Sequence, residues 1–245
     1  MQHSLAGDLQ AVRARIDAAA RAAGRDPAGV RLLAVSKTWP AEDVRALAAL
    51  GQEHFAENRV QELTGKAAAL ADLPDLRWHL VGQLQRNKAA AVVRLGASVH
   101  SVDRLPLVAA LARAAEHEER LVDVYVQVDL GGPEGELGQR GGAVPAEVPG
   151  LADAVGEAAG LRLRGLMAVA PRGEEPAPAF ARLAELAARV RSDHPTASEL
   201  SAGMSGDLEA AVAAGATVVR VGTALFGRRA LASDADSTEG PLRSS

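Results

Sequence analysis

Of the 27 basic residues in this 245-residue chain, three are lysine (Lys37, Lys66, Lys88) and 24 are arginine. A chain that uses arginine almost wherever a positive charge will serve makes each retained lysine informative. Lysine can lose its proton in a suitable environment and can condense with an aldehyde; arginine does neither. Lys66 lies in an Ala-rich helical stretch and reads as a solvated charge. Lys88 falls in Gln85-Arg86-Asn87-Lys88, a polar helix start. Lys37 follows the apolar run Leu32-Leu33-Ala34-Val35 and precedes Thr38-Trp39-Pro40, which places an amine at the end of a buried strand.

A second chemical signal sits near the other end of the chain. Ser201-Ala202-Gly203-Met204-Ser205-Gly206-Asp207 joins an expected strand to a helix and is rich in small, donor-bearing residues, with Ser205 expected as the N-cap. Exposed N–H groups and the positive end of a helix favour an anion there. Arg220-Val221-Gly222-Thr223 then leads into Ala224-Leu225-Phe226-Gly227, another small loop opening a short helical turn. An imine-capable amine and two phosphate-type loops together suit one ligand, pyridoxal phosphate, which carries an aldehyde and a phosphate. Arg220 would then lie near the pyridine nitrogen and keep it unprotonated, which weakens the ring as an electron sink.

These groups need a frame that gathers strand ends. Apolar or β-branched runs recur at residues 31–35, 53–56, 78–81, 97–100, 122–129, 163–169, 198–201 and 217–221. Helical periodicity fills 41–50, 57–71, 84–95, 104–119, 144–159, 177–192 and 206–214, and Leu5, Leu9, Val12, Ile16 and Ala20 mark an amphipathic helix over 4–23 before the first strand. Alternation of this kind predicts βαβ units and a parallel sheet. Eight strands predict a closed (β/α)8 TIM barrel with an extra N-terminal helix. A doubly wound open sheet is the competitor, but no G-x-G-x-x-G follows the first strand. Chemistry in a barrel gathers at the C-terminal strand ends. Those ends carry Lys37; Glu57 and Asn58; His79 and Gly82; Ser101; Asp129; Met167; Ser201 to Ser205; and Arg220 to Thr223. Residues 131–142 read as a mobile loop, 171–178 as a Pro-rich loop, and 233–245 as a disordered polar tail after a barrel domain spanning 1–232.

Composition narrows the classes. Without cysteine there is no disulfide scaffold, thiolate metal site or Cys nucleophile. A formal net charge of −4 and 2% aromatic residues argue against a nucleic-acid binder. No apolar run approaches the ~18 residues a membrane span needs, and the N-terminus lacks the pattern of an export signal. The expected address is the cytoplasm.

Leu33-Ala34-Val35-Ser36-Lys37-Thr38, Phe55-Ala56-Glu57-Asn58-Arg59-Val60-Gln61-Glu62, Trp78-His79-Leu80-Val81-Gly82-Gln83-Leu84-Gln85-Arg86-Asn87-Lys88, Gly165-Leu166-Met167, Leu200 to Asp207 and Arg220 to Gly227 resemble the pyridoxal phosphate homeostasis proteins, relatives of the alanine racemase N-terminal domain. The resemblance runs over about residues 5–230. It implies a single-domain barrel of the fold-type III class that binds pyridoxal 5'-phosphate. Lys37 would hold the cofactor as a Schiff base. Ser205, Gly222 and Thr223 would bind its phosphate, Asn58, Met167 and Ser201 would line the pocket, and Arg220 would face the pyridine nitrogen. It further implies cofactor buffering and delivery, with possible transient contact with apoenzymes, and no established turnover. Gln139-Arg140-Gly141-Gly142 departs from the Ser-Lys-Ser-Gly-like turn of many relatives, and an arginine there cannot form a second imine.

The alternative is a weak amino-acid racemase. Racemisation needs a base on each face of the α-carbon. Lys37 could supply one. In full-length alanine racemases the other is a tyrosine from the second subunit's extra β domain, which this chain is too short to carry. Its single tyrosine, Tyr125, reads as a core residue, and His79 as a hydrogen-bonded strand histidine. A carrier acting as a monomer is therefore expected, with no catalytic residue. A third reading takes His54, His79 and His100, on three successive strands, as ligands of a metal-dependent hydrolase. No His-x-His pair supports it.

Overall fold

The computed structural model describes residues 4–131 and 141–227. Eight parallel strands close into a barrel in chain order: β1 Arg31–Val35, β2 His54–Glu57, β3 Arg77–Leu80, β4 Ser98–Val102, β5 Val122–Val128, β6 Leu161–Ala168, β7 Glu199–Ser201 and β8 Val218–Val221, with β8 pairing back onto β1. The expected TIM barrel is present, and its strands begin and end within two residues of the apolar runs. The helices are α1 Leu5–Ala22, α2 Ala41–Ala49, α3 Val60–Ala69, α4 Ala89–Leu95, α5 Leu105–His117, α6 Val148–Glu157, α7 Pro176–Asp193, α8 Leu208–Ala213 and the single turn α9 Thr223–Phe226. The Pro-rich segment after β6 is shorter than expected. Pro176 and Pro178 belong to the first turn of α7, where a proline's missing N–H has no intrahelical partner to lose. The tail 233–245 and most of the loop 131–142 lie outside the described residues.

Strand side chains alternate between the helical shell and the lumen. Leu32, Ala34, Phe55, Leu80, Val99, Val124, Leu166 and Val219 join the large core beneath the helices. Leu63 of α3 and Leu183 of α7 are wholly buried in it, and truncating either to Ala would cost about 2–5 kcal/mol. The lumen has two unlike walls. On β1, β2 and β8, Leu33, Val35, Ala56 and Val218 form a small apolar cluster. On β3, β4, β5, β7 and β8 the buried lumen residues are polar or aromatic: His79, His100, Tyr125, Gln127, Ser201 and Arg220.

Two close approaches require glycine. A Cβ on Gly165 of β6 would lie 1.7 Å from the Glu199 carbonyl oxygen of β7. One on Gly82, just past β3, would lie 2.2 Å from the Asn58 carbonyl oxygen. Neither site accepts a side chain without moving backbone.

Candidate functional site

A cavity of about 1010 Å³ opens at the C-terminal ends of the strands. It is lined by Lys37, Asn58, Met167, Ser205, Arg220, Gly222 and Thr223, so seven of the eight predicted site residues border it. Ser201 stands behind this wall, fully buried, and touches Arg220.

Lys37 is exposed in the turn after β1. The next residue, Thr38, has φ 67°, the left-handed region that a β-branched residue rarely occupies. Its N–H donates to Glu62 Oε2 of α3 at 2.7 Å, which holds the turn in that shape. Trp39 stacks on Phe226 of α9 with ring centroids 5.7 Å apart, tying the lysine turn to the last helical turn after the neighbouring strand β8.

Behind the turn lies a buried ion pair. Lys66 of α3 is only 8% exposed; its Nζ donates to Glu57 Oε1 at 2.5 Å and to the Ser36 carbonyl at 2.6 Å. Ser36 Oγ donates to the same Glu57 oxygen at 2.6 Å. Burial pushes the Glu57 carboxyl above its usual range, while the bonds from Lys66 and Ser36 oppose that rise. Lys66 is therefore not the solvated charge expected. An Ala-rich helix carries no periodic signal that one of its lysines must reach a carboxylate on the neighbouring strand.

The two small loops do not meet the expectation in detail. Ser205 does not cap α8. Asp207 occupies the N-cap position, and its side chain accepts the Met204 N–H at 2.6 Å. Ser205 Oγ turns instead toward α9 and accepts the Ala224 N–H at 3.3 Å. The backbone N–H groups of Ser205, Gly206, Gly222 and Thr223 find no acceptor among the described residues. Four unpaired donors beside one cavity are the kind of group that can hold an anion such as a phosphate. With the Lys37 amine just past the adjoining strand β1, this donor set fits a phosphorylated aldehyde.

Arg220 is 4% exposed, and burial pushes its pKa down to about 10. It donates to the Ser201 carbonyl at 2.6 Å, Ser201 Oγ at 2.8 Å and the Ala168 carbonyl at 2.8 Å. Three neutral acceptors fix the guanidinium while leaving its charge uncancelled at the cavity floor.

The three histidines do not surround a metal. His54 Nδ1 lies 3.0 Å from His79 Nε2, His79 Nδ1 lies 3.0 Å from His100 Nε2, and His100 Nδ1 lies 3.0 Å from Ser201 Oγ. Nitrogens this close share protons and leave no room for an ion between them, and no metal-holding group of acidic or imidazole ligands occurs among the described residues. Sequence placed the histidines on successive strands but could not show that the rings meet directly. Tyr125 is buried as expected, stacked on His100 at 3.9 Å and donating to Glu199 Oε2 at 2.6 Å. Arg59, Gln83 and Arg172 also line the cavity and were not anticipated. Arg59 and Gln83 stood within the motifs but on no predicted strand end, and Arg172 lies in the loop after β6.

Residues 7–230 match the family described as the alanine racemase N-terminal domain. A pyridoxal phosphate homeostasis protein of Pseudomonas aeruginosa is 47% identical over 229 residues, covering 92% of this chain and 96% of that protein. One of Mycobacterium tuberculosis is 46% identical over 245 residues, covering 92% and 93%. The structure of PipY from Synechococcus elongatus, solved with PLP bound, superposes with TM-score 0.79 at 39% identity, covering 91% of this chain and all of that one.

Proposed function

The chain belongs to the family of pyridoxal phosphate homeostasis proteins, within the wider alanine racemase N-terminal domain family, and from that premise we propose that it binds pyridoxal 5'-phosphate and serves its intracellular homeostasis. The observation that carries the reading is the pairing of an exposed Lys37 amine with four unpartnered backbone donors on the same cavity. Lys37 holds the aldehyde carbon as a Schiff base. The Ser205–Gly206 and Gly222–Thr223 loops bind the phosphate, Asn58 and Met167 line the ring pocket, and Arg220, set by Ser201, faces the pyridine nitrogen. When bound, the cofactor supplies a conjugated electron sink. A guanidinium at its ring nitrogen blunts that sink, because it disfavours the protonated ring that stabilises carbanions best.

The reading extends to a carrier that releases the cofactor to apoenzymes in the cytoplasm and acts as a monomer. Support for carriage over racemisation comes from the cavity wall, where no tyrosine or histidine faces Lys37 among the described lining residues. Tyr125 is engaged by Glu199, and burial and that carboxylate push its pKa up, so it is no second base.

The test is the visible spectrum of the purified protein with pyridoxal 5'-phosphate, before and after borohydride, followed by peptide mapping. The expected result is an absorbance band whose reduced label maps to Lys37, with no multiple-turnover racemisation of amino acids. A label on another residue, or sustained racemisation, overturns the proposal.

A further inference from the structure

The hydrogen-bond chain across the lumen has a direction. A guanidinium only donates, so Ser201 Oγ accepts from Arg220 and its own hydrogen is left for His100 Nδ1. His100 is then protonated on Nε2 and donates to His79 Nδ1. His79 in turn carries its proton on Nε2 and donates to His54 Nδ1. The last ring is left with an N–H on Nε2, for which the described residues provide no partner. With this order kept, a proton added to any Nδ1 would face another donor, and burial lowers the pKa of all three rings.

His54 is the first residue of β2, so this donor emerges at the N-terminal face of the barrel, opposite the cofactor cavity. There a second cavity, of about 470 Å³, is lined by His54 together with Arg31, Arg77, Arg120, Arg164 and Glu199. The carboxylates near it are already taken. Glu199 accepts from Tyr125, from Arg31 at 3.1 Å and from Arg164, and Asp123, also on this wall, is held by Arg162 at 2.5 Å. Arg77, paired in register with His54, and Arg120 have no side-chain acceptor among the described residues. Arg77, Arg120 and His54 Nε2–H thus bring unpartnered donors to this wall, beside the Ser98 hydroxyl and the second oxygen of Asp123.

We propose that this N-terminal cavity is a second anion site, in which Arg77, Arg120 and His54 Nε2–H bind a small solute bearing phosphate or carboxylate oxygens. Its occupant would rest on the same chain of imidazoles that ends on Arg220. An acceptor at His54 favours the tautomer order that Arg220 enforces from the other end, so the two faces share one hydrogen-bond polarity.

The test is a titration of the borohydride-reduced, pyridoxal phosphate-loaded protein with inorganic phosphate, followed at the ring nitrogens of His54 by NMR. Loading fills the upper phosphate loops, and the readout is local to the lower face. The same titration of unloaded protein must move His54 equally, which separates this proposal from the reading of the upper cavity. The expected result is a proton on His54 Nε2 and a saturable shift there. Arg77→Gln and Arg120→Gln, both changes at exposed positions, should each weaken binding about tenfold, the effect of one charge-assisted hydrogen bond. A proton on Nδ1, no shift with phosphate, or unchanged binding in both folded variants overturns it.

Discussion

Lys66 Nζ lies 2.5 Å from Glu57 Oε1, sealing an ion pair between α3 and β2 directly behind the Lys37 turn. Removing one partner strands the other in a site where water cannot solvate it. Lys66→Met should therefore destabilise the protein by about 3–5 kcal/mol. The double variant Glu57→Gln/Lys66→Met should recover part of that loss. Denaturant melts of the two variants check this, and a double variant no more stable than the single one would count against the pair.

Lys37→Ala should abolish the absorbance band and the borohydride label. Its side chain is exposed, so stability should change by no more than ~0.5 kcal/mol. Parallel spectra and melts separate loss of the amine from loss of the fold.

Ser205→Ala should weaken cofactor binding about tenfold, the scale of one hydrogen bond to a charged oxygen. Gly222→Ala should weaken it at least as much, because the new Cβ would lie 3.0 Å from the Val35 carbonyl oxygen and push the donor loop outward. Equilibrium titration of pyridoxal 5'-phosphate measures both, and wild-type affinity in either variant would remove that loop from the phosphate site.

Acid should destabilise the barrel through its histidines. Burial, then Arg31 and Arg77, lower the His54 pKa from 6.5 to about 4, with Glu199 opposing. Burial also holds His79 and His100 well below their usual value. The unfolded chain takes up these protons first, so stability is whole above about pH 6.5 and is lost as pH falls. The His54 share levels off near pH 4. That ring is partly open to solvent, which limits its share to the order of 1 kcal/mol. Urea melts across this window should show the slope, and His54→Gln should flatten it.

The frame was legible because each strand and helix carries its own period, and the Lys37 and Arg220 ends follow from the strands that bear them. What the residues do across the lumen was not. His100 and Ser201 lie 101 positions apart and meet only through the closure of the barrel. Strand spacing puts His54, His79 and His100 on one side of the sheet, but the choice between a metal and a ring-to-ring contact turns on ring orientation and on the 3.0 Å N···N separations, which spacing does not encode. Ser205 differs from its expected role for a similar reason. A serine before a helix looks like its cap, and only the neighbouring loop reveals that its oxygen serves α9. The burial of Lys66 leaves no trace in the sequence, because helical alanines are silent about what lies beneath them.

The two walls of the lumen set unequal terms for sequence drift. On the side of Leu33, Val35, Ala56 and Val218, contacts are nondirectional, and one aliphatic residue can replace another if volume is kept. On the facing wall each side chain answers to a neighbour's donor or acceptor, so a single isosteric exchange there propagates from one mouth of the barrel to the other. Variants selected for new ligands should thus accumulate around β1, β2 and β8, while the imidazole seam changes only in concerted steps.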